Sequence, residues 1–322
     1  AYDIAIKEYE TVIKADMGIA EAHNNLSMIY LNQNKLEEAI DQSKKAIKLR
    51  KDFPEAHNNL GLAYGHRVYF DDLVDIWHDN ATAWTGGNVS TGSDWLLLRR
   101  VPANSSNVGG RARALYTEGV EKASLGLFDH AASLFRQTLK VKPHWPAAQL
   151  ALGSAYLAQE RWREAADALT EAVKLDDSDP LASGSLAIAR IMQGAYTGAI
   201  DAWKQVVRVT KGAEREMTRE SLDVVRERQE WADEAIKALK RAVELDPEFA
   251  KAHFNLGIRY GKLPMNIEAA QHFREALRLK PESPMVHYSL AVVCNLIGET
   301  DNAFHHYNEA IRINPEFAKA HS

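Results

Sequence analysis

Between residues 250 and 317, apolar side chains recur three and four positions apart over about a dozen residues. The pattern then breaks, and a second such stretch begins. That spacing places them on one face of a helix, so each stretch predicts an amphipathic helix with a turn between the two. The whole unit then repeats. AKAHFNLGIRYGKLPMNIEAAQHFREALRLKPES is followed, 34 residues on, by PMVHYSLAVVCNLIGETDNAFHHYNEAIRINPEF. Leu256 falls in step with Leu290, Gly257 with Ala291, Ala269 with Ala303, Phe273 with Tyr307, Ala276 with Ala310 and Pro281 with Pro315. Gly257 and Ala269 mark where two helices approach closely, because a larger side chain would push them apart. Pro281 and Pro315 follow the second helix, which a residue lacking an N–H cannot continue. One hairpin of this kind cannot bury its apolar face alone, so copies stack.

The small residue of the second helix serves as a ruler. It stands at Ala5, Ala39, Ala131, Ala165, Ala199, Ala235, Ala269 and Ala303. The spacing is 34 except for a two-residue slip before Ala235 and an insertion between Ala39 and Ala131. The expected copies are 20–53, 54–87, 112–145, 146–179, 180–213, 216–249, 250–283 and 284–317. Residues 1–19 read as the second helix of a truncated repeat, and 318–322 as the start of a further helix. Copy 54–87 is degenerate, with an expected second helix near 70–79 that turns Phe70, Leu73, Val74 and Trp77 inward. Copy 216–249 is the weakest. It puts Asp223 where a small residue belongs and Arg226 where Tyr30, Tyr64, Tyr156 and Tyr260 stand. This organisation gives 20–87 two repeats, 88–111 an insertion loop, 112–213 three repeats and 214–317 three more.

The 34-residue helix–turn–helix unit resembles the tetratricopeptide repeat (TPR). The resemblance covers nearly the whole chain. It implies an all-α fold, a TPR superhelix or α-solenoid of about eight to nine repeats with one insertion. It also implies a right-handed array whose first helices line a concave groove, and a protein that binds other proteins rather than a catalyst.

Composition narrows the classes further. At 322 residues the chain could hold two ordinary domains, but a solenoid has no single core to outgrow. A net charge of −5 argues against non-specific nucleic-acid binding, which needs clustered positive charge. No apolar run approaches the ~20 residues of a membrane span. The one cysteine, Cys294, excludes an intrachain disulfide framework and is compatible with a cytoplasmic or periplasmic compartment.

Signals for catalysis are poor. There is no Gly-rich phosphate loop, no zinc-protease helix and no nucleophile elbow. Cys294 takes the place of the first-helix tyrosine and is expected to pack as a small hydrophobe. His23, His57, His253, His287 and His321 recur at one repeat place. Equivalent residues of successive repeats lie ~10 Å apart, one helix-packing distance, so they cannot share an ion. His272, His305 and His306 are read the same way. No metal site and no cofactor is expected. Asn80, Asn88 and Asn104 begin glycosylation-type triplets, all inside residues 80–111, which do not fit the repeat.

The informative constellation is the inner face of the first helices. Asn25, Asn59 and Asn255 share one place, and a carboxamide can pair with both groups of an extended peptide's backbone. The arrangement looks like the asparagine ladder of O-linked N-acetylglucosaminyltransferases, but departs from it at Thr117, Ala151, Ser185, Ser221 and Ser289. The other reading is that each asparagine bridges neighbouring helices. Met28, Leu62, Val120, Ile188, Val224, Ile258 and Val292 form an apolar row, and Tyr116, Leu150, Phe254 and Tyr288 another. The clamp by which some relatives grip chaperone C-termini is absent, because its places hold Asn24 with Met28 and Asn58 with Leu62. The expected peptide groove is therefore Asn24, Asn25, Met28, Asn58, Asn59, Leu62, Tyr116, Phe254, Asn255 and Tyr288. Trp84, Trp95, Leu96, Leu97 and Leu98 form an expected docking segment within residues 80–111. The leading function is a non-catalytic scaffold for an extended or helical protein segment. The alternatives are a structural subunit of a larger assembly, and the recognition part of an enzyme whose catalytic part lies elsewhere.

Overall fold

A computed structural model describes residues 2–16, 18–68, 109–263 and 265–316. Among the described residues there are fifteen helices and no strand. The expected second helix at 70–79, the insertion tryptophans and leucines, the glycosylation-type asparagines and His321 lie outside the described residues. The helices are α1 (Tyr2–Ala15), α2 (Ala20–Asn32), α3 (Leu36–Leu49), α4 (Pro54–Arg67), α5 (Gly110–Ser124), α6 (Phe128–Val141), α7 (Pro146–Leu157), α8 (Trp162–Leu175), α9 (Pro180–Met192), α10 (Tyr196–Val209), α11 (Gly212–Leu245), α12 (Ala250–Gly261), α13 (Asn266–Leu279), α14 (Pro284–Leu296) and α15 (Thr300–Ile313).

Proline starts α4, α7, α9 and α14, where its missing N–H would have had no partner anyway. In five of the hairpins the turn after the first helix contains a left-handed residue. Asn34, Gly126, Glu160, Gly194 and Gly298 all have φ between 56° and 84°. Glycine adopts that conformation without strain, and asparagine tolerates it better than most residues.

The chain divides into two compact units. One comprises residues 1–69 and 228–322, and the other comprises 70–227. In the second unit α5 pairs with α6, α7 with α8 and α9 with α10. The glycine of the first helix permits the close approach. A Cβ on Gly119 would lie 2.6 Å from the Phe135 ring, and one on Gly153 would lie 2.5 Å from Leu169. Small-residue places such as Ala131, Ala165 and Ala199 are fully buried.

The first unit uses the same contact across a long chain separation. α2 pairs with α3, α12 with α13 and α14 with α15. A Cβ on Gly257 would lie 2.6 Å from the Phe273 ring, 16 residues later. For α4 the equivalent neighbour is Leu239. A Cβ on Gly61 would lie 2.5 Å from its Cγ, yet the two residues are 178 apart in the chain. Ala235 and Trp231 join Ala39, Ile40, Ala63 and Tyr64 in one apolar cluster. The guanidinium of Arg67 stacks on Trp231 at 4.0 Å, and Arg228 donates to the Arg67 carbonyl at 3.2 Å. The first helix α4 is thus completed by the 228–245 portion of α11, and residues 70–227 are inserted between the halves of one hairpin.

This corrects the expectation of a separate hairpin over 216–249. α11 runs unbroken from Gly212 to Leu245. The reason is local. No glycine or proline occurs from 213 to 246, so no left-handed turn residue is available. Ion pairs three residues apart, Arg219–Glu216 and Arg226–Asp223, support continuous helix instead.

Candidate protein-binding face

The first helices α2, α4, α12 and α14 of the first unit are neighbours in that order. Their shared register brings equivalent places into rows. The asparagine row is the most ordered. Asn59 donates its Nδ2 to Oδ1 of Asn24 at 2.9 Å, and Asn255 donates to Oδ1 of Asn58 at 2.8 Å. Asn25 donates to the Tyr9 hydroxyl at 3.2 Å. Asn25 therefore reaches back to α1, while Asn59 and Asn255 reach back to the neighbouring first helix, where the acceptor stands one residue earlier in the register. Asn24, Asn58, Asn59 and Asn255 are buried, with Asn59 only 2% exposed. The expectation that these carboxamides meet a peptide backbone is corrected for these four. Their hydrogen bonds tie first helices together, since a carboxamide buried without a partner costs about 1–3 kcal/mol. Asn25 alone of the set remains half-exposed.

The apolar row behaves differently. Met28 is 41% exposed, and Leu62, Ile258 and Val292 are half-buried. These four occupy one place on four consecutive first helices. The outer places toward the helix ends are polar or charged on α2, α4 and α12: Glu21, Glu55 and Lys251 at one end, Asn32, His66 and Lys262 at the other. Burial and the neighbouring Arg259 hold the Lys262 ammonium below its usual pKa. His66 is likewise lowered by burial, then by Arg259 and Lys262.

The aromatic row divides. Tyr116 is buried, with ring centroids 4.7 Å from Trp145 and 5.7 Å from Phe135. Burial pushes its hydroxyl up to about 12. It is core, not groove, and belongs to the other unit. Phe254 packs on Phe273 at 5.8 Å and Tyr288 on Tyr307 at 5.9 Å, each within its own hairpin and each half-buried. Ile188 is also fully packed.

The histidine place holds contacts that periodicity alone does not reveal. His253 Nδ1 lies 3.1 Å from Nδ1 of His272, and its Nε2 lies 3.1 Å from the Pro247 carbonyl. His287 repeats this with His306 at 3.1 Å and the Pro281 carbonyl at 2.9 Å. A carbonyl only accepts, so Nε2 of His253 and His287 carries the proton and their Nδ1 accepts from the partner ring. The partner rings, His272 and His306, then carry a proton on Nδ1. Burial and the facing imidazole lower His272 and His306 to about 4. The useful signal is the 19-residue spacing across one hairpin rather than the 34-residue spacing between hairpins. Among the described residues no group of three or more His, Cys, Asp or Glu could hold a metal ion. Cys294 is buried, and burial, then Glu299, hold its thiol above the usual range. Among the described residues no helix is long and apolar enough to cross a membrane.

Comparison with known families agrees with this architecture. One TPR model matches residues 28–66 and 224–263, and a second tetratricopeptide repeat model matches 116–180, 150–208 and 268–316. Together the matches cover more than half of the chain. No curated protein matches the sequence. Among solved structures, a crystal structure of MamA protein is 21% identical, covering 66% of this chain and 97% of that one at a TM-score of 0.29. YrrB, described as a TPR protein with an unusual peptide-binding site, is 20% identical over 57% of this chain and 94% of its own, at 0.27. PilF of Pseudomonas aeruginosa is 15% identical over 64% and 92%, at 0.33.

Proposed function

Because the chain belongs to the tetratricopeptide repeat family, whose repeats generally mediate protein–protein interaction and whose scaffolds are generally non-catalytic, we propose that it binds a segment of a partner polypeptide along the first helices of its first unit. The observation that carries this reading is the row Met28, Leu62, Ile258 and Val292. Four apolar side chains in register on neighbouring helices, Met28 exposed and the other three partly open to solvent, offer a contact stripe for a partner to cover. Asn25 and the partly open Phe254 and Tyr288 border it.

The asparagines contribute indirectly. By bonding helix to helix they fix the spacing of the row, so little ordering is left for binding to impose. An extended or helical segment with apolar side chains at a regular interval satisfies such a stripe. The test begins with peptides selected from a random display library on the folded protein. Their affinity is then titrated against Leu62→Asp and Ile258→Asp. Loss of at least tenfold in both variants, with unchanged helix content, supports the reading. Selected peptides that bind both variants as well as the parent would refute it.

A further inference from the structure

The histidine place of α4 differs from its sisters. His57 donates Nε2–H to the Lys51 carbonyl at 3.1 Å, as His253 and His287 do to Pro247 and Pro281. Its Nδ1 is therefore an acceptor, and it has no hydrogen bond among the described residues. The residue that should face it, in register with His272 and His306, is Ala238. A cavity of about 610 Å³ opens at that point, lined by His57, Ala238, Leu60, Ile236 and Ile47 among others. It lies between α3, α4 and the 233–244 stretch of α11, all within the first unit, and Leu62 is not among its lining residues.

We propose that this cavity is a binding site for a histidine side chain of a partner polypeptide, its imidazole taking the place that His272 and His306 take in the sister hairpins. The occupant is read from the chain itself. Twice, at 3.1 Å, the same histidine in the same register receives an imidazole N–H. Here the register place holds Ala238, which has no polar side-chain atom, so an acceptor and open space are left together, with Arg241 also near the His57 ring. The aliphatic side chains of Leu60, Ile236 and Ile47 suit the faces of a neutral ring. The charged groups at the rim are of both signs, and Lys237 is paired with Glu234 and Arg241 with Glu244, which favours a neutral donor over an anion or a cation. The volume exceeds a single imidazole several-fold and so admits the residues on either side, in the ~300–1,000 Å³ range of ligand sites. This site is independent of the apolar row.

The probe is N-acetyl-histidinamide, titrated into the full chain at pH 7.5, where both rings are neutral. The readout is the Cε1–Hε1 resonance of His57. The structure predicts a saturable shift there, and at least tenfold weaker binding in Ala238→His, which refills the hole from within. Ala238→Gln, whose carboxamide N–H can donate to Nδ1 of His57, does the same if the histidine variant folds poorly. Leu62→Asp leaves the titration unchanged. No saturable shift would overturn the proposal, as would equal binding of N-acetyl-phenylalaninamide, which has the same backbone amides but a ring with no N–H to donate to Nδ1.

Discussion

Asn255 donates a hydrogen bond to Asn58, a residue 197 positions earlier in the chain, at 2.8 Å and buried from solvent. The bond joins α12 to α4. With Asn59 to Asn24 it makes α2, α4 and α12 a connected series of first helices. Replacing Asn255 by Ala leaves the Asn58 carbonyl oxygen buried without that donor. The expected cost is about 1–3 kcal/mol, read as a lower urea midpoint at unchanged slope.

Gly61 and Leu239 define the packing of the hairpin that the insertion interrupts. A methyl added at Gly61 must displace Leu239 or spread α4 from α11. Gly61→Val is expected to destabilise the protein by about 1–3 kcal/mol, and Leu239→Ala in the same chain recovers part of the loss. Gly110→Ala is the contrasting substitution. A Cβ there meets nothing within 4 Å, so the thermal midpoint stays unchanged or rises slightly. Comparing the melting curves of these variants separates crowding from a general intolerance of glycine replacement.

The histidine pairs make the first unit sensitive to acid. His272 and His306 titrate at about 4 when folded and near 6.5 when unfolded. The unfolded chain therefore takes up protons first as pH falls. The stability these groups contribute is full above about 6.5 and is lost progressively toward about 4. Groups facing His272 are His253, Lys240 and Glu275; those facing His306 are His287, His305, Arg274 and Glu309. Two of the lowering neighbours, Lys240 and Arg274, are basic residues. The thermal midpoint should fall between pH 7 and pH 5. His272→Gln with His306→Gln should flatten that fall, because a carboxamide can face the ring without titrating, as Gln42 does at His23.

Much of this architecture is written in the 34-residue period. The alanine ruler and the helix pattern suffice for the family and the all-α class, because a solenoid repeats its close contacts at a fixed spacing. The same regularity hides the split hairpin. Ala235 lies 34 residues before Ala269, so the period assigns Asp223 and Arg226 to a first helix of their own. The absence of any glycine or proline from 213 to 246 is the local sign that no turn occurs there. Among the candidate residues, the shared register of Met28, Leu62, Ile258 and Val292 is legible. The asparagines are placed correctly in register but not in direction, since a period says which residues align and not which neighbour each one bonds. Tyr116 escapes the pattern because its burial depends on Trp145, a residue of the loop that enters the next hairpin.

The row Met28, Leu62, Ile258 and Val292 is continuous only because α4 is completed by the far end of α11. An NMR spectrum of the full chain with methyl-labelled leucine tests that pairing most directly. The split hairpin predicts a cross-relaxation peak between the Hα of Gly61 and a methyl of Leu239. A peak from Gly61 to the indole ring of Trp77, 16 residues later as in an ordinary hairpin, with none to Leu239, would contradict it.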